Sequence, residues 1–178
     1  MMSSFIRCFH NVDMRAEIYP IEGVACGRLA IMPRPRAGDW LPDEVESWRH
    51  AGMDCIVSLL EPGEVAELAL EREKELCEEA GLEFAQFPIT DRGVPQSTQA
   101  FSALIESLVS RLRLGRGVAI HCRMGVGRSA LVAACLLAAL GKPLESAWRS
   151  IEKARRLSVP DTEEQRAWVS SFCAGLAP

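Results

Sequence analysis

The 178-residue chain has no apolar run long enough to cross a bilayer, no C-x-x-C pair and no dense Lys/Arg stripe. Its longest apolar run, Ala130–Leu140, has eleven residues, against about 20 for a membrane-spanning helix. It reads instead as a buried helix. Met1–Pro20 mixes Arg7, His10, Asp13, Arg15 and Glu17 with scattered apolar residues and has no apolar core of the signal-peptide kind. Seven cysteines, an odd number without close pairs, argue against a disulfide framework and point to a reducing cytoplasm. Six of them read as small core hydrophobes. No His/Asp/Glu/Cys cluster has metal-ligand spacing, so neither metal nor other cofactor is expected. His10 and His50 have no ligand-like neighbours and take no role. Without a basic stripe interleaved with aromatics, nucleic acid is not an expected partner. There is no internal repeat, low-complexity tract or linker.

What is present is ordinary globular composition, 48% hydrophobic and 25% charged. The length suits one domain over residues 1–178, able to bury roughly two-thirds of its unfolded surface. The net charge of −4 is uneven: residues 1–90 carry 8 basic and 17 acidic groups, residues 91–178 carry 12 and 7. The halves therefore stand at −9 and +5, and the positive half could draw in an anionic substrate. Two differently solvated faces would give the same asymmetry.

Apolar patterning alternates between two periods. Leu29–Met32, Cys55–Leu60, Glu83–Phe87 and Val118–His121 read as strands, bounded by Pro33 and Pro35, by Pro62-Gly63, and by Gly115 and Gly117. Helices are expected over Pro42–Ala51, with Gly52 past its end, and over acid-rich Val65–Ala80, stopped by Gly81. A third is capped by Ser97 and shows Phe101, Leu104, Ile105, Leu108, Val109 and Leu112 on one face. Further helices run from about Gly127 to Leu140, from Leu144 to Arg155 and from Thr162 to Cys173. Strands alternating with helices predict an α/β sandwich around a largely parallel sheet. Its ligand site should lie at the carboxyl ends of the strands.

Between the strand ending at His121 and the helix starting near Gly127 lies His121-Cys122-Arg123-Met124-Gly125-Val126-Gly127-Arg128-Ser129. A strand-to-helix turn aims backbone N–H groups and the positive end of a helix at one point, a ready anion site. Gly125 and Gly127 let the backbone curl round a phosphate, and Arg128 can fork onto two of its oxygens. Cys122 opens the turn, so its sulfur would face the phosphorus, and the N–H groups that hold phosphate would also favour a thiolate. A nucleotide P-loop would need glycine where Cys122 stands and lysine where Arg128 stands. The dinucleotide pattern matches Gly125, Gly127 and Ala130 but needs a second strand where Leu144–Arg155 reads as helix. A structural turn around a buried cysteine remains the third reading, though six specified residues would recur by chance in only ~10⁻⁸ of windows.

The segment resembles the H-C-x-x-G-x-x-R-[ST] signature of protein tyrosine and dual-specificity phosphatases. Gly127-Arg-Ser-Ala-Leu-Val-Ala-Ala-Cys-Leu-Leu137 is especially similar to the branch associated with cyclin-dependent kinases. The likeness runs over about 54–172, sharp at three motifs and loose between them, and leaves residues 1–40 hard to place. It implies a sheet of four or five strands flanked by helices and a metal-free phosphocysteine mechanism. Cys122 is then the nucleophile, Arg123, Met124, Gly125, Val126, Gly127 and Arg128 wrap the phosphate, and Ser129 assists the thiolate as leaving group. His121 orients the loop. The second motif, Ile89-Thr90-Asp91-Arg92-Gly93-Val94-Pro95, resembles the general-acid loop, with Asp91 protonating the departing oxygen; an Asx-type turn is the competing reading. No aromatic Trp-Pro precedes Asp91, which favours the dual-specificity branch. The third, Pro160-Asp161-Thr162-Glu163-Glu164-Gln165, places Gln165 where some members orient the hydrolytic water, although Thr162-x-x-Gln165 also fits a capping box.

The functional expectation is hydrolysis of phosphotyrosine and of some phosphoserine or phosphothreonine in a protein or peptide. A kinase partner is implied by the resemblance alone. The alternatives are a phosphoinositide or small-molecule phosphatase, a silent phosphate-binding module, and sulfur transfer or arsenate reduction. Retention of Cys122, Asp91, Arg128 and Ser129 together weighs against a silent module. Lipid-phosphate members tend to carry extra basic residues inside the loop; here Arg123 is basic but Val126 is apolar.

Overall fold

The four apolar runs form a twisted sheet in a computed structural model that describes residues 16–175. Cys8 and His10 lie outside the described residues. The strands are β1 (Tyr19–Pro20), β2 (Arg28–Met32), β3 (Cys55–Ser58), β4 (Glu83–Gln86) and β5 (Gly117–His121), in the order β1-β2-β5-β3-β4. All neighbours pair parallel except β1, a two-residue antiparallel addition to β2 that the sequence reading missed. The apolar β5 is central, and its register sets His121 opposite both Met32 and Ser58. The ends of three strands thus converge just before Cys122.

Helices cover both faces: α1 (Leu41–His50), α2 (Pro62–Glu67), α3 (Glu73–Glu79), α4 (Thr98–Arg113), α5 (Arg128–Ala139), α6 (Leu144–Arg155) and α7 (Glu163–Ala174). Alternate strand residues point to opposite faces. Leu29, Ile31, Val57, Val118 and Ile120 pack with α4 to α7, while Ala30, Met32, Ile56 and Ala119 pack with Val45 and Trp48 of α1 and Cys77 of α3. α5 is apolar all round because it is sandwiched, with every residue from Arg128 to Leu137 buried. Ser97 caps α4 by accepting from the Ala100 N–H at 3.2 Å. Gly117, expected to bound the strand, is the first residue of β5.

The single helix expected over Val65–Ala80 is in fact two. The chain breaks between α2 and α3, with Ala69 in the left-handed region at φ 53°. Residues 66–76, which span the break, hold only good helix formers, so propensity alone would continue the helix. What overrides it is burial: Leu70 is turned inward to pack with Leu41 and Leu60. The break also redirects two acids. On one continuous helix Glu64 and Glu73, nine residues apart, would face about 180° away from each other. Here Glu64 reaches Arg123 in the loop that follows β5, and Glu73 reaches His121 at the end of β5.

Of the six described cysteines, all free, Cys55, Cys77, Cys122 and Cys135 are buried and Cys173 is partly so. Burial pushes the Cys55 thiol up to about 11 and raises Cys77 and Cys135 as well. These three are core hydrophobes. Cys26 is exposed, so the core reading does not hold for it.

Candidate active site

Residues 122–127 bridge the end of β5 to the start of α5 as a tight crown. Gly125 adopts φ +66°, and a Cβ there would come within 2.5 Å of the Met32 carbonyl oxygen. Only glycine satisfies both demands. The crown also leans on the chain after β2, where the Arg34 N–H donates to the Arg123 carbonyl at 3.3 Å. Cys122 Sγ sits at the centre, accepting from the Gly125 N–H at 3.3 Å and lying 3.5 Å from Ser129 Oγ. Only Met124, at 65% exposure, projects freely from the rim; Val126 is half-buried against the core.

Arg128, 2% exposed, is held on several sides. Nη1 donates to Glu64 Oε2 at 2.6 Å and to the Ile89 carbonyl at 2.9 Å, and Nη2 donates to Glu64 Oε1 at 2.9 Å. Asp91 Oδ1 lies 3.0 Å from the same Nη2. The acid-loop candidate and the loop arginine are therefore in contact, and Asp91 remains 58% exposed. Its loop is shaped by a turn in which the Gly93 N–H donates to the Thr90 carbonyl at 2.8 Å and Arg92 takes φ 59°. A non-glycine residue in that region marks a backbone held by its surroundings.

Gln165 is fully buried and ties two motifs together. Its Nε2 donates to the Gly93 carbonyl at 3.0 Å, while a Cβ on Gly127 would meet Gln165 Oε1 at 3.0 Å and clash with the Asp161 carboxylate. The N-cap half of the capping box is real, since Thr162 Oγ1 accepts from the Gln165 N–H at 3.1 Å. The side-chain half is absent, and Oε1 is a buried acceptor without a partner among the described residues. His121 is buried beneath the crown with Nε2 2.8 Å from Glu73 Oε1, an ion-pair distance at an angle too oblique for a good hydrogen bond.

Arg123 turns away from the crown's centre. Its Nη2 donates to Glu67 at 2.6 Å and its Nε to Glu64 at 3.3 Å. Glu64 thus bridges two loop arginines, and its Oε2 also accepts from the Glu61 N–H at 3.0 Å as the third residue of a capping box on α2.

A family model described as "Polymorphic toxin system, DSP-PTPase phosphatase" matches residues 30–142, a span that includes this crown and the acid loop. The chain belongs to that family. Among curated relatives, rat "Cyclin-dependent kinase inhibitor 3" is 28% identical over 136 residues, 75% of this chain and 64% of that protein. Mouse "Protein tyrosine phosphatase domain-containing protein 1" is 31% identical over 142 residues, 75% of this chain but 19% of that protein. The chain therefore spans less than two-thirds of the relatives it matches. Among solved structures, kinase associated phosphatase with its catalytic cysteine replaced by serine superimposes with a TM-score of 0.81. The two are 25% identical, and the match covers 91% of this chain and 96% of that one.

Within this DSP-PTPase fold, the structure brings together Cys122, Asp91, Arg128, Ser129 and Gln165. It sets His121 behind the crown and Arg123 against α2. Sequence reading missed Glu73, which lay hidden among the acids of one expected helix, and Glu64, the residue just before that helix. It also missed Arg155, discussed below. Burial alone would raise the Glu64 carboxyl, but hydrogen bonds from Arg128 and the Glu61 N–H hold it below the usual carboxylate range. A carboxyl lowered on folding stabilises the fold above its unfolded value and loses that contribution as pH falls through its folded value. Glu64→Gln is accordingly expected to lower Tm at pH 7, with the gap from wild type closing as pH drops through about 4 and below. A gap that stays constant from pH 7 to pH 3 would remove the Glu64 ion pairs from this account.

Proposed function

We propose that the protein is a metal-independent phosphatase in which one phosphatase domain hydrolyses phosphotyrosine, and some phosphoserine and phosphothreonine, through a phosphocysteine at Cys122. The observation that carries this is the convergence on one sulfur: the Gly125 N–H and Ser129 hydroxyl beside Cys122 Sγ, with the Arg128 fork and Asp91 in contact above it. Binding alone needs neither a nucleophile nor an acid.

In the first step the Cys122 thiolate attacks phosphorus, the phosphorus–oxygen bond breaks, and Asp91 gives its proton to the departing oxygen. The crown N–H groups and Arg128 hold the equatorial oxygens, where charge collects in the transition state. An incoming phosphate would compete with Asp91 for Nη2 and free the carboxyl to swing to the leaving group, while Glu64 keeps the guanidinium plane fixed from behind. In the second step water attacks the phosphocysteine. Asp91 takes its proton, Gln165 Oε1 accepts a hydrogen bond from the water, and Ser129 donates to the returning thiolate. A thiolate nucleophile suits a reducing compartment, and a cytoplasmic setting is the reading we adopt; no helix among the described residues is long and apolar enough to cross a membrane. A kinase partner rests on likeness to kinase associated phosphatase and to the protein named cyclin-dependent kinase inhibitor 3.

For substrate class, Arg123 is the residue that matters. Paired to Glu64 and Glu67, it adds little net positive charge for the extra phosphates of an inositol headgroup. Purified protein assayed in excess EDTA, at fixed ionic strength, on a panel of phosphopeptides and phosphoinositides is expected to turn over phosphotyrosine peptides most efficiently. A tenfold or greater preference in kcat/KM for a phosphoinositide would replace the protein-phosphatase reading. Activity that is lost in EDTA and restored by a divalent ion would replace the mechanism.

A further inference from the structure

Two arginines among the described residues are buried, and only one has a counter-ion. Arg128 is met by Glu64 and Asp91. Arg155, 9% exposed in the last turn of α6, faces no carboxylate among the described residues. Its guanidinium stacks on Tyr19 with Cζ 3.9 Å from the ring centroid. Its Nε has no partner among the described residues, and Nη2 donates to the Met124 carbonyl at 3.1 Å. Burying an unpaired cation is costly. The Tyr19 face and the negative end of α6 offset part of that cost, but a neutral side chain would incur none of it.

The carbonyl that Arg155 holds explains why the cation is there. Met124 C=O and Gly125 N–H belong to one peptide unit, and in a planar trans peptide the two groups point in opposite directions. Arg155 grips the carbonyl on the outside of the crown, so the N–H points inward, where it donates to Cys122 Sγ at 3.3 Å. Gly125 cannot fix this plane by itself, because glycine adopts positive and negative φ with similar ease. Were the plane to turn over, a carbonyl oxygen would face the sulfur and any bound anion. We propose that Arg155 is a positioning residue that locks the Met124–Gly125 peptide with its N–H directed at Cys122 and at the anion held in the crown. The hydrogen bond to the carbonyl also polarises the peptide, making that N–H a stronger donor. The inference rests on the anion-binding reading of the crown, but it can be tested without any turnover.

The test is alkylation of the folded protein by iodoacetamide at pH 7, with peptide mapping to separate Cys122 from the exposed Cys26, which serves as an internal reference. Inorganic phosphate is titrated in as the protecting anion, and Tm is recorded for each variant. Arg155→Met is expected to slow Cys122 alkylation about tenfold relative to Cys26, and to raise the phosphate needed for half-protection by a similar factor. Arg155→Lys keeps the charge but loses the planar stack and the rigid geometry that directs Nη2 at the Met124 carbonyl, so about a threefold effect is expected. Should Arg155→Met fail to fold, Arg155→Lys decides alone, and wild-type phosphate protection in that variant overturns the proposal. It is equally overturned if Arg155→Met lowers Tm yet leaves alkylation and protection unchanged, the signature of a purely structural residue. A wild-type protein that shows no turnover but keeps phosphate protection of Cys122 would count against the phosphatase reading and not against Arg155.

Discussion

Cys122→Ser lowers turnover of an aryl phosphate by a factor of about 10⁴ or more, while inorganic phosphate still binds. The chemistry and the cradle separate because different groups provide them. A serine hydroxyl does not ionise near neutral pH, so the attack on phosphorus stops. The anion, by contrast, is held by the crown N–H groups, by Arg128 and by the start of α5, all of which are still present in the variant. Kinetics on an aryl phosphate together with calorimetric titration of phosphate would read both halves. Residual turnover above a few per cent would point to another nucleophile, and lost phosphate affinity would mean that the sulfur shapes the crown as well as acting in it.

Asp91→Ala is expected to have the second-largest effect, and one that depends on substrate. An alkyl or unactivated aryl oxygen needs a proton to depart, so its kcat should fall by about 10²- to 10⁴-fold. An acidic phenol leaves unaided and should be slowed far less. Since Asp91 also contacts Arg128 at 3.0 Å, its removal takes a competing carboxylate off the phosphate fork. Phosphate affinity should hold or rise as kcat falls. A series of aryl phosphates of graded leaving-group acidity checks this directly. Equal losses across the series would reduce Asp91 to a turn residue of the Thr90–Gly93 loop.

What could be read from sequence was what lies contiguous along the chain. His121–Ser129 is nine consecutive residues from the end of a strand to the start of a helix, so the placing of Gly125, Arg128 and Ser129 around Cys122 follows from local geometry. The parallel pairing of β2, β5, β3 and β4 agrees with the expectation from strands alternating with helices, while their order came only from the structure. The position of Asp91 beside the crown was legible too, because it follows a strand that ends on the same edge as β5. The supports of the site were not, since each arrives from a distant segment. Glu64, in the first turn of α2, and Glu73, in the first turn of α3, can both serve the site because the chain breaks at Ala69 to bury Leu70, a tertiary demand invisible in a run of strong helix formers. Glu73 meets His121 through the same break. Arg155 closes a triangle of Tyr19, Met124 and the end of α6, three places with no sequence pattern in common. Gln165 shows the opposite situation, where two readings competed: its backbone belongs to the cap of α7, while its side chain donates to the Gly93 carbonyl in the loop that carries Asp91.

The central claim is a covalent bond between Cys122 sulfur and phosphorus, and trapping it is the most direct test. Gln165→Ala should slow the second step more than the first, so that the intermediate accumulates. The variant is mixed with an activated aryl phosphate, quenched in acid within one turnover, and mapped by peptide mass spectrometry. The account predicts one phosphoryl group on the peptide carrying Cys122, formed in step with a burst of released phenol and absent from the Cys122→Ser protein. A burst with no phosphoryl group on that peptide, or a phosphoryl group on any other side chain, would contradict it.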